Sequence, residues 1–458
     1  MTRLAAPAHE PICRADATLA SASVKGAFRS LSGFNYRVWV AGALVSNVGT
    51  WMQRIAQDWL VLTQLTHHNA TAVGVIMSLQ FGPQLLFLPV TGFVADHFDR
   101  RKLLFATQAA MGVLALGLGV LTIEGWVRLW QVYGFAFLLG CVTAFDSPAR
   151  QTFVADLVGE ADLSNAVALN STSFNIARMI GPAIAGVLIA LVGSGGVFLI
   201  NAASFVAVLG SLVLMRVGEL HPQHRVSKTP GSLVEGFHYV RRRPDLLAIL
   251  VMLFWISTFG LNFPIFISTM TVTTFHDGAS WYGVLTTMMA TGSVTGALLA
   301  ANRVRPSMRF LLAGAMIFGI GCALAALMPS HWLFGLTLVF IGASAQTFTT
   351  SANSMVQLST EPGMRGRVMA IFMAIVFGTT PLGAPIVGWV ADTFSPRWAL
   401  GVAAASGFAA VFVGIRYLVR YRHLRMRFGN GRVRFSLDTD PFAVASKPGQ
   451  DAIGQEMV

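Results

Sequence analysis

Three charged residues lie inside long apolar stretches of the sequence. Arg54 and Asp58 occur in the stretch Val38–Leu65, and Arg178 occurs in the stretch Leu163–Val192. A charge near the centre of a membrane-spanning helix costs about 2.5–3.5 kcal/mol, so each of the three is a candidate for a function. Arg54 and Asp58 are four residues apart, which places them on one face of a helix, where they can pair.

Two interpretations of these charges remain open. In the first, Asp58 exchanges a proton, and Arg54 and Arg178 alter its pKa as a cavity opens and closes. In the second, Arg54 and Asp58 form a static ion pair near the outer end of a helix, and Arg178 binds backbone carbonyls. Asp58 would lie about 30 Å from a helix start near Val38, close to the outer interface, which favours the second interpretation.

A second pair of opposite charges is also a candidate for a function. Asp146 and Arg150 flank Pro148, just after the apolar stretch Leu129–Phe145. At the inner end of a spanning helix, such a pair could close an inner gate. The alternative is that both residues lie in a solvated loop.

The composition indicates which elements must position these charges. The chain has 458 residues, of which 54% are hydrophobic and only 11% charged, and its mean hydropathy is +0.64. Soluble proteins carry about 25% charged residues, so most of this surface must face lipid. Ten charge-free apolar stretches, and the two that hold Arg54, Asp58 and Arg178, predict twelve transmembrane helices. Long continuous runs are unlike the alternation of a β-barrel, so the predicted fold class is an all-α integral membrane protein.

The basic residues predict the orientation. Nearly all of the 32 Lys and Arg residues would lie on one side of a membrane that the chain crosses twelve times. Arg128 and Arg397 would lie on the other side. Cytoplasmic loops are enriched in Lys and Arg, so we expect both termini in the cytoplasm and a multi-pass protein in the cytoplasmic (inner) membrane.

The sequence indicates a duplication. An offset of 202 residues aligns three pairs of glycines: Gly140 with Gly342, Gly181 with Gly383, and Gly186 with Gly388. We therefore expect two pseudo-symmetric six-helix halves joined by the longest loop. The expected divisions are a cytoplasmic arm at 1–35, a first half at 36–216, a cytoplasmic loop at 217–245, a second half at 246–419 and a basic tail at 420–458.

The central loop contains one patterned segment. Ser232–Arg243 has apolar residues at helical spacing and a basic end. This pattern favours an amphipathic helix on the inner leaflet, and a solvated linker is the alternative.

The loop after the second apolar stretch carries a recognisable motif. It contains Gly92, Asp96, Asp99, Arg100 and Arg101, followed by Lys102. The spacing resembles the G-x-x-x-D-x-x-x-R-R signature of the major facilitator superfamily. The resemblance implies that Asp96 and the two arginines latch the inner ends of the halves and regulate which face is open. The matching loop of the second half has Ala300 at the acidic position, so a second latch would lack its carboxylate.

Further runs resemble one branch of this superfamily. Asn47–Arg54, Phe145–Gln151 and Glu235–Arg241 are similar to segments of the transmembrane secretion effectors, the branch of bacterial permeases that includes the enterobactin exporter. The resemblance extends over nearly all of residues 34–420. It implies efflux of siderophores, drugs or other amphipathic small molecules.

A Gly-Pro pattern bears on the direction of transport. Gly181, Pro182 and Gly186 resemble the helix-kink motif of proton-linked antiporters, although Ala185 stands where that motif has glycine. The second half echoes the pattern; its members are Pro381, Gly383, Pro385 and Gly388. The motif favours export, and a packing kink without directional meaning is the alternative. Antiporters of the superfamily often carry an arginine in the fourth span, and Leu129–Phe145 contains none, which argues against coupling by that route.

Several function classes have no support in the sequence. Cys13, Cys141 and Cys322 are scattered, and no cluster has metal-ligand spacing, so we expect no disulfide framework, no metal and no cofactor. A phosphate-binding loop of the ATPase type is missing. The basic tail after the last span is more typical of lipid binding than of nucleic-acid binding.

The sequence therefore predicts a secondary transporter, not an enzyme. We expect a monomer that exports a small amphipathic molecule by alternating access, with the substrate cavity near the midplane and protons as the coupling ion. Uptake of a nutrient by a proton-coupled permease is the first alternative. A membrane sensor without transport activity is the second.

Overall fold

The computed structural model describes most of the chain between the termini. The described residues are 29–87, 90–91, 94, 98–159, 162–221, 233–301, 307–422, 425–429 and 432–436. They form two compact units. The first comprises the chain up to residue 227 together with Ile267–Ala290, and the second comprises residues 228–266 and the chain from residue 291 onward.

The first unit is built from long apolar helices. They are α1 (Phe34–Leu60), α2 (Ala70–Leu86), α3 (Arg100–Ile123), α4 (Leu129–Leu157) and α5 (Leu163–Leu214). A π-helical turn at Val61–Leu65 extends α1. Within α5, Gly193 has a φ of +72°, a conformation that glycine adopts readily, and it divides the fifth span from the sixth.

The second unit begins with the helix of the central loop. The helices of the chain from the central loop onward are, in order, α6 (Leu233–Arg242), α7 (Pro244–Trp255), α8 (Phe263–Thr269), α9 (Ala279–Ala301), α10 (Met308–Leu327), α11 (His331–Ser359), α12 (Arg365–Gly378), α13 (Thr380–Thr393) and α14 (Pro396–Arg422). The end of α8, the π-helical turn Met270–Thr274 and most of α9 belong to the first unit by their contacts. A cut of the sequence at residue 245 therefore does not coincide with the boundary between the compact units.

The helix inventory agrees with an all-α membrane protein. Among the described residues, nine helical segments are long and apolar enough to cross a membrane. One of them, α5, holds two spans, and α1 and the shorter α2 add two more, which is consistent with twelve. Many large apolar side chains are exposed, such as Leu191 and Leu327, as expected where lipid is the solvent.

The packing of glycines supports the duplication. A Cβ on Gly181 would lie 2.6 Å from the Cβ of Trp51 in α1, and one on Gly383 would overlap the Thr258 carbonyl, just after α7. The two glycines, related by the offset of 202, thus pack on the first helix of their respective halves. Close approach of this kind requires a residue without a side chain.

The structure corrects the prediction for the end of the fourth span. Helix α4 continues without a break past Phe145 to Leu157, so Asp146 and Arg150 lie inside a helix and not in a solvated loop. Uncharged runs alone place the end of the span too early, because they do not reveal that Arg150 pairs with Asp146. The fourth helix therefore does carry an arginine.

Two segments outside the spans, the central loop and the basic tail, also have regular structure. The predicted helix in the central loop is confirmed by α6, which packs on α12, where Gly236 contacts Arg367. In the basic tail, β1 (Arg425–Gly429) and β2 (Arg432–Ser436) form an antiparallel hairpin in which Arg427 is opposite Arg434. This hairpin was not among the elements expected from the sequence.

Candidate functional site in the first unit

A buried ion-pair network joins α1, α3 and α4. Arg150 donates to the Asp146 carboxylate through Nε and Nη2, at 3.1 and 3.0 Å from Oδ2. The other carboxylate oxygen accepts from Thr107 Oγ1 at 2.8 Å and from Gln108 Nε2 at 2.7 Å. Arg150 Nη1 donates to Asn47 Oδ1 at 3.0 Å. Every partner belongs to the first unit. Because the partners lie on α1, α3 and α4, the network links these three helices.

The acid of this pair has its hydrogen-bonding capacity filled. Asp146 is only 4% exposed and accepts four hydrogen bonds, two of them from an arginine fork. The predicted charge pair is confirmed as a contact. Its role in closing an inner gate stays a prediction.

The described part of the predicted inner motif lies at the start of α3. Asp99 caps the helix, its side chain accepting from the Lys102 amide. Arg100 forms an ion pair with Asp156 at 2.7 Å, and Arg101 donates twice to the Leu212 carbonyl near the end of α5. Gly92 and Asp96, the other two members of the motif, lie outside the described residues.

Asp58 and Arg54 do not pair, contrary to one of the two interpretations. Among the described residues, the contact to the Asp58 carboxylate comes from Tyr282, whose hydroxyl donates to Oδ2 at 3.3 Å. The Tyr282 ring stacks on Trp59, with 6.1 Å between centroids. Helical spacing allows the Arg54–Asp58 pair, but the guanidinium of Arg54 is turned toward aromatic rings.

Arg54 occupies an aromatic environment. Its guanidinium carbon lies 4.8 Å from the centroid of Trp51 and 5.4 Å from that of Phe81. Its buried Nε has no hydrogen-bond acceptor. Cation–π contact of this kind stabilises a guanidinium by about 0.5–2 kcal/mol, which is less than a buried carboxylate would supply.

Arg178 is half-buried and, among the described residues, makes no hydrogen bond and no ion pair, so the predicted contact with backbone carbonyls is not present. One turn earlier, Phe174 meets Trp51 edge to face at 5.9 Å. Tyr36 contacts Ala166 and Trp51 contacts Gly181, both at a separation of 130 residues, so α1 and the first part of α5 run parallel. In this register Arg54 and Arg178 are about 9 Å apart along the helix axes.

The Gly-Pro segment of α5 packs against two neighbours. Gly181 faces Trp51 of α1, while a Cβ on Gly186 would lie 2.9 Å from the Ala279 carbonyl in α9. On the same interface, a Cβ on Gly283 would lie 2.6 Å from the carbonyl oxygen of Pro182. The motif therefore creates a close contact between α5 and the part of α9 that belongs to the first unit.

The corresponding segment of the second unit is interrupted and forms two separate helices. Thr379 separates α12 from α13, Pro381 stands in the first turn of α13, and Pro385 lies inside that helix. Gly383 and Gly388 are buried. Any directional meaning of the two motifs stays a prediction.

The sequence analysis did not single out several polar residues of this site. Tyr282 is one, and the amide pairs are the others: Gln80 donates to Gln57 at 3.2 Å, and Asn201 donates to Gln53. Amides in apolar helices form such bonds because lipid offers no alternative partner. Their presence in three apolar stretches was a visible signal, although their pairing was not.

A duplicated helical membrane fold with buried charges in its spans is the architecture expected of a multi-pass transporter. A sequence model of the transmembrane secretion effectors of the major facilitator superfamily matches residues 26–438. The chain belongs to this family.

Characterised relatives and solved structures agree with that assignment. The chain is 27% identical to the staphyloferrin A transporter of Staphylococcus aureus, over 76% of this chain and 87% of the relative. It is 26% identical to the enterobactin exporter EntS of Shigella flexneri, over 80% and 87%. A POT family transporter in complex with 5-aminolevulinic acid has a TM-score of 0.67 at 13% identity, over 84% of this chain and 96% of that one. A bacterial homologue of the human lysosomal transporter Spinster has a TM-score of 0.60 at 14% identity, over 84% and 96%. The last two similarities show the fold alone.

Proposed function

We propose that this transporter exports a small amphipathic molecule of the siderophore or drug class across the inner membrane, by alternating access and proton antiport. Two relatives are named for a siderophore, and one of them is named an exporter. In this proposal Asp58 is the proton carrier, and Arg54 and Arg178 contact the cargo.

The contacts of Asp58 are the observation that carries the proposal. A carboxylate locked to an arginine would resist protonation, whereas Asp58 is bonded to a tyrosine hydroxyl. Because this donor is neutral and no arginine hydrogen-bonds the carboxylate among the described residues, the acid can gain and lose a proton as its access to water changes. Asp146, with its four donors, is the unsuitable acid of the two.

The arginines favour a cargo with an anionic group. Neither Arg54 nor Arg178 has an acidic partner within ion-pair distance among the described residues, and aromatic rings lie beside Arg54. A cation held in an apolar environment attracts an anion far more strongly than it does in water. An aromatic or aliphatic acid would satisfy the charge and the rings together.

The test is transport into inverted membrane vesicles. With an inside-acid gradient, an exporter accumulates a fluorescent amphipathic acid in the vesicle lumen, and pyranine outside the vesicles reports the proton that leaves. We expect Asp58→Asn to abolish the gradient-dependent part, while Glu124→Gln, an exposed carboxylate at the end of α3, retains it. Unchanged accumulation by Asp58→Asn would contradict the carrier role.

The same assay addresses the alternatives. Gradient-driven accumulation only in right-side-out vesicles would indicate the uptake permease. No movement of any tested compound, with normal membrane insertion, would favour the sensor.

A further inference from the structure

A cavity of about 410 Å³ lies where α3 begins, beside the last turns of α4 and the end of α5. All of its lining residues belong to the first unit, and the cavity is open to the outside of that unit. The transport residues Asp58, Arg54 and Arg178 are not among those that line it. The cavity is therefore distinct from the proposed transport site.

One wall of the cavity is cationic. Arg100, Arg101 and Lys102 follow one another in the first turn of α3. Arg100 is neutralised by Asp156 at 2.7 Å. Arg101 donates to the Leu212 carbonyl, which holds its position without cancelling its charge. Lys102 is exposed, and among the described residues its ammonium has no acidic partner.

The charges around the cavity together favour an anionic ligand. Asp99 also lines the cavity and caps the helix, accepting from the Lys102 amide at 2.9 Å, so two acids and three bases leave the lining with a net charge of +1. The N-terminal end of α3 adds its own partial positive charge. The guanidinium of Arg101 and the ammonium of Lys102 remain available for a phosphate group.

The other wall is apolar and continues onto the exposed side of the spans. Phe105 is 43% exposed and Val213 is 63% exposed, and both line the cavity. They lie on α3 and α5, two helices that are long and apolar enough to cross a membrane. A soluble anion would gain nothing from this wall, whereas a hydrocarbon chain would cover it.

We propose that the cavity binds an anionic phospholipid, with its phosphate on Arg101 and Lys102 and an acyl chain along Phe105 and Val213. The lipid would connect the start of α3 to the end of α5, the two elements that Arg101 already joins. Basic pockets at the cytoplasmic ends of membrane helices are suited to such head groups.

The test is a lipid titration of the purified full-length protein. In detergent micelles that contain phosphatidylcholine, native mass spectrometry counts the phosphatidylglycerol molecules retained as their mole fraction rises. We expect one tight phosphatidylglycerol site. Each cation near an anionic lipid corresponds to about a fivefold change in binding constant, so Arg101→Gln/Lys102→Gln should weaken this site about 25-fold.

A matched control separates this site from general surface charge. Arg416→Gln/Arg420→Gln removes two exposed cations from α14, in the second unit, and should leave the tight site within about twofold. Equal losses in both double variants would overturn the proposal. If Arg101→Gln does not fold, Lys102→Gln alone should cost about fivefold, and Lys102→Arg should restore binding.

Two further outcomes would also overturn it. One is that phosphatidylglycerol is retained no better than phosphatidylcholine. The other is that inorganic phosphate or glycerophosphate displaces the lipid at an equal concentration, since this would mean that the acyl chain contributes nothing. None of these measurements depends on transport, so they stand apart from the proposed function.

Discussion

The two units share a packing scheme but not a chemistry. At the offset that pairs Gly181 with Gly383, Asp146 corresponds to Phe348 and Arg150 to Ala352. Both counterparts are fully buried. Among the described residues of the second unit, the buried polar side chains are hydroxyls and one amide, that of Asn262, whereas the first unit buries Asp58, Asp146 and Asp156.

The charges are therefore not required by the fold. The second unit builds equivalent helix contacts around an aromatic ring and a methyl group at the positions where the first uses an ion pair. Charges kept in an apolar interior at such a cost indicate a function, which is the reason for proposing the transport residues in the first unit.

The largest expected effect comes from breaking the ion pair on one side. Asp146→Ala leaves Arg150 buried without its acid and removes the acceptor of Thr107 and Gln108, so the free energy of unfolding should fall by about 3–5 kcal/mol. Unfolding of the detergent-solubilised protein by SDS, followed by circular dichroism, measures it.

The second unit supplies the control for this prediction. Asp146→Ala/Arg150→Ala imitates its uncharged interior and should recover part of the loss, because no charge is then left unpaired. If the double variant lost the full sum of the two single losses, the pair would not be coupled, and the comparison would fail.

The next effect tests the packing that the units share. A Cβ at Gly181 or at Gly383 meets a neighbouring helix at a distance that only a backbone shift relieves, so either Gly→Ala change should lower the free energy of unfolding by about 1–3 kcal/mol. Gly210→Ala, where a Cβ meets open space, should be neutral or slightly stabilising. A loss at only one of the first two positions would contradict the equivalence of the units.

The sequence was sufficient for those features that depend on local composition. Apolar runs predicted the helices because each span must satisfy its own backbone hydrogen bonds in lipid. The same reasoning ended the fourth span at Phe145, since the neutralisation of Asp146 by Arg150, Thr107 and Gln108 is a tertiary property. In the tail, the dipeptide Asn430-Gly431 between β1 and β2 is typical of a tight hairpin and was a local signal of one.

The candidate site could be predicted only in part. Composition was enough to single out Arg54, Asp58 and Arg178, because charges are rare in spans. Their partners could not be read from helical spacing. Spacing allowed the pairing of Arg54 with Asp58, but Tyr282, more than 200 residues away in the chain, donates to that carboxylate instead.

A smaller effect is expected for the hydroxyl that contacts Asp58. Tyr282→Phe keeps the ring stacked on Trp59 and removes one hydrogen bond, so it should cost about 1 kcal/mol. In an Asp58→Asn background the same change should cost less, because the acceptor is then neutral. A double-mutant cycle on the free energy of unfolding gives the coupling, and a coupling of zero would mean that the two groups do not interact.

The smallest effect on stability is expected at Arg178, although its effect on transport should be large. Arg178→Gln removes a cation that, among the described residues, has no partner, so the free energy of unfolding should stay within about 0.5 kcal/mol of wild type. Its counterpart at the offset of 202, Thr380, is uncharged, and Thr380→Ala serves as the control in the second unit.

If Arg178 binds an anionic group of the cargo, the half-saturating concentration in inverted vesicles should rise about tenfold or more, because a hydrogen bond to a charged group contributes about 1.5–3 kcal/mol. Arg178→Lys should retain part of the affinity. An unchanged half-saturating concentration together with a loss of stability would make Arg178 a structural residue, and the charge of the first unit would then have to act through Arg54 and Asp58 alone.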